Sequence, residues 1–165
     1  MEEWFRILHP KVVTLITSVD KEGRINAAPF SWVTPVCDDP PVVLVGAWYE
    51  SHTFQNISET GEFVINIVPK EYKEKVEICA RRFKKGENEL EKAGLSWSPA
   101  KKVKPPRVDG CLGWLECRAF RIEKEEEKYS FILADVLLFE KGKEGEVLLH
   151  FGGKDYGAIL QALGR

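Results

Sequence analysis

The residues best suited to chemistry in this chain lie between Asn26 and Asn56. The run Asn26-Ala27-Ala28-Pro29-Phe30-Ser31-Trp32-Val33-Thr34-Pro35 mixes small residues, hydroxyls and aromatics in an irregular strand. Ser51-His52-Thr53 stands at the start of a predicted short helix. Free N–H groups in a first helical turn, together with the helix dipole, make an anion site, and two hydroxyls and an imidazole add donors. The same three residues also fit plain capping by Ser51 with an exposed His52, and local sequence alone favours capping. Trp32 and Trp48 could flank a planar ligand or serve the core equally well.

Other chemistries lack their residues. No Gly-x-Gly-x-x-Gly follows a strand, and there is no P-loop, no Gly-x-Ser-x-Gly elbow and no His-Glu-x-x-His. Cys37, Cys79, Cys111 and Cys117 have no zinc-knuckle or dithiol spacing, and His9, His52 and His150 are scattered along the chain. The cysteines therefore read as small hydrophobes and no metal site is expected. His150 reads as a partly buried structural histidine, with a place beside a nicotinamide as the alternative.

The elements that must position these residues are mostly strands. Val12–Val19 is rich in β-branched residues, and Asp20-Lys21-Glu22-Gly23 is a turn. The next strand starts near Ile25 and is interrupted near Pro29 and before Pro35, which excludes a plain central strand. Val42–Trp48 reads as a buried strand and Ser51–Thr60 as a short helix ended by Gly61. Glu62–Val68 is a further strand. Tyr72, Val76, Cys79 and Phe83 give Lys70–Phe83 a helical period. Residues 84–94 read as a charged loop with a helical turn, and the prolines in 97–108 as an extended connection. Leu112–Lys124 and Tyr129–Glu140 are long strands, followed by Val147–Phe151 and a terminal helix over Tyr156–Leu163. Six to eight strands with short connections require a mainly antiparallel sheet, and closure into a barrel hides its edges.

The composition is that of one folded domain spanning residues 1–165. The chain carries 24 Lys and Arg against 26 Asp and Glu, a formal charge of −2, with 44% hydrophobic residues. That balance argues against generic nucleic-acid binding, which needs a basic face. No apolar run reaches the roughly 20 residues of a membrane helix, and the acidic start is unlike a signal peptide. The expected setting is cytoplasmic. The 16 Lys and 20 Glu beside two Gln and one Met follow a thermophile bias, with chance composition as the alternative.

A resemblance sharpens this reading. Asn26-x-Ala28-Pro29-Phe30-Ser31-Trp32-x-x-Pro35-Val36, then Asp39-Pro40-Pro41, then Thr53-x-x-Asn56-Ile57-x-x-Thr60-Gly61-Glu62-Phe63-Val64-x-Asn66 resembles the flavin reductase-like, FMN-binding split-barrel family. Leu115-Glu116-Cys117-Arg118 is similar to that family's central strand. The likeness runs from about Pro10 to Phe151 and is nearest the archaeal and flavoredoxin-like branch. It implies a mainly β fold, a six-stranded antiparallel split β-barrel with peripheral helices, working as a homodimer.

By that resemblance, Ser31, Trp32, Val33 and Thr34 run beside an FMN ring and ribityl chain, and Ala47 and Trp48 follow the same edge. Ser51, His52 and Thr53 hold its phosphate, and Arg82, Phe83 and Lys84 reach the flavin or the phosphate. The implied activity is hydride transfer from NADH or NADPH to FMN, then electron transfer to an acceptor, with no catalytic side chain assigned. The alternatives are an FMN electron carrier served by a protein redox partner and a flavin-free scaffold. The basic pattern of a pyridoxamine-phosphate oxidase is not evident.

Overall fold

A computed structural model describes residues 4–161, with side chains described through residue 159. After a 3-10 turn at Trp4–Leu8 come β1 (Lys11–Val12), β2 (Thr14–Val19), β3 (Ile25–Phe30), β4 (Val33–Cys37) and β5 (Val42–Gly46). Helix α1 (His52–Thr60), β6 (Glu62–Ile67), α2 (Lys73–Cys79) and α3 (Glu89–Lys92) follow. Short strands β7 (Trp97–Ser98) and β8 (Arg107–Val108) precede β9 (Gly113–Glu125), β10 (Tyr129–Lys141), β11 (Gly145–Gly152) and β12 (Asp155–Gln161).

The main sheet is antiparallel, with seven strands in the order β3-β2-β6-β9-β10-β5-β4. The count exceeds the expected six because Ser31-Trp32 breaks one run of chain into β3 and β4. These two strands lie at opposite ends of the sheet order. Laid flat, seven strands at about 4.8 Å spacing would put the edges about 29 Å apart. From Phe30 to Val33 the chain can reach only about 11 Å. The sheet must therefore curl until its edges approach, which is the split of the barrel. Pro29 and Pro35 both sit on these edge strands, where a missing N–H costs no ladder bond.

Every residue of β2 is buried. The two-residue period sends successive side chains to opposite faces, and both faces are covered. Leu15 joins Val13, Ala27, Val76 and Leu90 beneath α2 and α3. Ile16 joins Val45, Phe54, Ile57, Phe63 and Ile132 beneath α1. Strands β9 and β10 pair along almost their whole length, with register shifts between Leu133 and Ala134 and between Val136 and Leu138. Such irregularities increase local twist and help the sheet to curl.

The connection between α3 and β9 is pinned by polar groups. Asn66 Nδ2 donates to Leu15 O at 2.8 Å, and its Oδ1 accepts from Val108 N at 2.7 Å. Glu116, fully buried, accepts from Lys101 N at 2.9 Å, Lys102 N at 2.5 Å and Arg107 Nε at 2.6 Å. Arg107 also pairs with Glu140.

One expected element differs in kind. Residues 156–161 form part of strand β12, not the start of a helix, and residues 162 and 163 lie outside the described residues. Gly152 and Gly153, at φ of 111° and 58°, reverse the chain so that β12 pairs with β11, Val147 opposite Ile159 and His150 opposite Tyr156. The ladder outweighs the helical propensity of Ala158, Leu160 and Gln161. Helix α2 also stops at Cys79, short of the expected Phe83.

Candidate functional site

Ser51 caps α1: its Oγ accepts from Phe54 N at 3.1 Å, and Gly61 closes the other end at φ 75°. The cap consumes one of the first-turn donors. Among the described residues, the backbone N–H groups of His52 and Thr53 have no acceptor. His52 is half-buried, not exposed. Thr53 is buried, and its Oγ1 accepts from Asn26 Nδ2 at 2.9 Å. That leaves the Thr53 hydroxyl proton free to donate. Capping and an anion site are thus not alternatives here: the capped terminus still offers two backbone donors and a hydroxyl.

This terminus opens on a cleft of ≈ 660 Å³. Ser51, His52, Thr53, Trp48, Phe30 and Asn26 line it. Arg81, Arg82 and Phe83, just after α2, line the same cleft. Both arginines are exposed, and neither side chain has a carboxylate partner among the described residues. A dianionic group on the α1 terminus would face two unpaired guanidiniums, which suits phosphate. Trp48 is 56% exposed and packs against Tyr49 at a tilt of 42° with centroids 4.6 Å apart, so its indole keeps surface available to a planar ligand.

Ser31, Trp32, Val33 and Thr34 line a second cleft of ≈ 420 Å³ with Lys11, Leu44 and Gly46. It adjoins the first along the chain, because Phe30 lines one and Ser31 the other. Lys11 Nζ lies 5.3 Å from the Trp32 ring. Ala47 lines neither cleft. It is buried, and its backbone is bonded on both sides to Ser130. Lys84 is exposed, lines neither cleft, and gives its N–H to Glu87 Oε2 at 2.8 Å.

The histidines scattered in sequence are not all scattered in space. His9 and His150 meet edge to face at 5.2 Å, and His150 Nδ1 lies 3.4 Å from Ser31 Oγ. His150 Nε2 is 3.1 Å from Gly153 O, a bond that requires the proton on Nε2. Among the described residues no three or more His, Cys, Asp and Glu converge as a metal site. No helix described is long and apolar enough to cross a membrane.

Among the cleft residues given no ligand role from the sequence are Asn26, Glu50, Arg81 and Glu89. Asn26 opens the run that carries the resemblance and Arg81 adjoins Arg82, so neighbourhood alone could have flagged both. Glu89 had no signal, since it sits in a charged stretch that reads as solvated. In the structure it is 5% exposed, and burial pushes its carboxyl up, against bonds from Ala27 N and its own N–H. Beside it, burial pushes the Cys79 thiol up to about 12, so the only cysteine at this cleft is protonated.

The fold is an antiparallel split barrel, and its cleft brings a helix terminus with unbonded backbone N–H groups beside the exposed Trp48. The chain matches the flavin reductase like domain family over residues 6–158, and it belongs to that family. An uncharacterized protein of Methanothermobacter thermautotrophicus is 38% identical over 136 residues, 81% of this chain and 64% of that relative. The chain thus spans under two thirds of that relative's length.

Among solved structures, a chain from Shewanella frigidimarina assigned as a flavin reductase with a split barrel domain superposes with a TM-score of 0.86. It is 21% identical, with 97% of this chain and 87% of that chain covered. Flavoredoxin of Desulfovibrio vulgaris gives a TM-score of 0.81 at 17% identity, covering 95% and 91%. At such identities these two structures speak to the fold alone.

Proposed function

We propose that this protein is an FMN-binding oxidoreductase that takes hydride from NADH or NADPH and passes electrons to an acceptor. The observation that carries this reading is the α1 terminus, where the N–H groups of His52 and Thr53, the Thr53 hydroxyl and two unpaired arginines face one cleft. These donors suit the phosphate of FMN. Trp48 and Phe30, in the same cleft, suit a flat aromatic ring, and Ser31–Thr34 suit its far edge. Flavin supplies the two-electron chemistry when bound, accepting hydride at its ring. The chain's own part is to hold the phosphate, orient the ring and shield one side of it from water. No acid or base is required of a side chain for hydride transfer.

Flavoredoxin, as a neighbour in fold, keeps a second reading in view: an FMN electron carrier reduced by a protein donor. We also propose a homodimer. Large apolar side chains left exposed by one copy, among them Phe139 at 64% and Phe120 at 56%, support it, and sedimentation tests it. Visible spectra of purified protein with FMN, recorded anaerobically before and after NADH or NADPH, test the main reading. Bleaching of bound flavin supports the reductase. A flavin spectrum that persists with both donors but bleaches with dithionite favours the carrier. Failure to take up FMN refutes both.

A further inference from the structure

Glu89 is out of place in a cleft built for an anion. It lines the same cleft as His52, Thr53, Arg81 and Arg82, yet it is a carboxylate with 5% of its surface exposed. Part of it has a structural task. Its Oε2 accepts from Ala27 N at 2.9 Å. Ala27 lies on edge strand β3, so this N–H has no strand to bond and the carboxylate covers it. The other oxygen, Oε1, accepts no hydrogen bond from another residue among the described ones. Neither Arg81 nor Arg82 reaches it, although both line the cleft.

A carboxylate that lines a cleft accepts hydrogen bonds only, so it favours a donor on the ligand. Phosphate oxygens are excluded at that point by like-charge repulsion, aromatic carbon offers no donor, and the ring's one N–H, at N3, is common to riboflavin and lumiflavin and so is separated from the hydroxyls by comparing the two. Hydroxyl groups meet the requirement. We propose that Glu89 Oε1 accepts a hydrogen bond from a hydroxyl of the ligand's polyol chain, so that Glu89 selects a ribityl-bearing flavin. This rests on the functional reading above, in which the phosphate lies on α1 and the ring against Trp48. In FMN the hydroxylated segment is the part that joins those two ends. The cleft then divides its labour: donors for the phosphate at Thr53 and Arg81–Arg82, an acceptor for the hydroxyls at Glu89. Burial, which pushes the Glu89 carboxyl up, keeps the acceptor strong by keeping water off it.

Glu89→Gln is the informative variant. Its amide oxygen can still accept from Ala27 N, while the group facing the cleft becomes a neutral amide. Fluorescence titration would compare riboflavin with lumiflavin, which has the ring but no ribityl chain and, like riboflavin, no phosphate. Loss of a charge-assisted bond predicts riboflavin binding weakened roughly ten-fold or more, with lumiflavin held within about two-fold. Equal changes for the two ligands, or none, would overturn the proposal. Should Glu89→Gln fail to fold, wild-type protein titrated with riboflavin analogues lacking one ribityl hydroxyl at a time decides instead. A large loss confined to one position supports the assignment, and uniform affinities reject it. Wild-type protein that binds no flavin refutes the functional reading itself, and a wild-type binder with an indifferent Glu89→Gln refutes only this inference.

Discussion

Thr53→Val is the sharpest test of the phosphate site, because it removes one hydroxyl and keeps shape. Thr53 is 1% exposed and sits at the second position of α1, so the substitution neither opens a cavity nor removes the Ser51 cap. Two effects follow. A ligand phosphate loses a charge-assisted donor, worth about 1.5–3 kcal/mol. That corresponds to FMN binding weakened roughly 10- to 150-fold. Asn26 Nδ2 loses its 2.9 Å acceptor and keeps only the 3.5 Å contact to Ser18 Oγ, which costs folding stability about 1–3 kcal/mol. Titrating FMN and riboflavin into both proteins separates the two. Riboflavin lacks the phosphate, so the structural cost touches both ligands while the lost donor touches FMN alone. The expected result is a selective loss for FMN. Riboflavin and FMN weakened by the same factor would refute the assignment of the α1 terminus to the phosphate.

Three further outcomes follow from the rest of the molecule. Glu116→Ala strands buried Arg107 and frees the N–H groups of Lys101 and Lys102, so chemical denaturation should show a loss of about 3–5 kcal/mol. A loss under about 1 kcal/mol would mean that the network is not a structural clamp. At Asp20, burial alone would raise the carboxyl, but bonds from the backbone and side chain of Arg24 and from Glu22 N outweigh it and hold it below its ordinary value. A depressed carboxyl stabilises the fold above its unfolded value and loses that contribution as pH falls through the folded one. The stability gap between wild type and Asp20→Asn should therefore be open at neutral pH and shrink below the carboxylate range, as thermal melts across pH will read. Finally, Cys37 is exposed, while burial pushes Cys79 and Cys111 up to about 12 and Cys117 higher still. A thiol reagent at neutral pH should label one cysteine in the native protein and four after denaturation.

Several elements were legible in the residues because their signals are local. Ser51 and Gly61 bracket α1 with a cap and a left-handed stop, and both do what their side chains dictate. Pro29 and Pro35 exclude central strands, and both strands prove to be edges. The apolar run Val42–Trp48 forms β5 as far as Gly46, between β4 and β10, with Val43 and Val45 buried and Trp48 exposed beyond its end. Local signals failed where a partner decides. Residues 156–161 have helical propensity but lie opposite β11, and the ladder wins. Glu89 looks solvated among its charged neighbours, and only the packing of α3 on β3 buries it.

By itself, the order of residues determined the antiparallel β architecture, the capped helix α1, and the motif run that identifies the family. Those depend on periods, caps and turns, which act over a few residues. Tertiary structure alone decided that Arg81 and Arg82 line one cleft with Thr53, that His9 meets His150, and that Asn26 commits the Thr53 hydroxyl to donate. It also turned Glu89, in a stretch that reads as solvated, into a buried acceptor for Ala27 N beside the cleft. Those pairings join residues from about 27 to more than 140 positions apart, and only the curling of the sheet brings them within contact range.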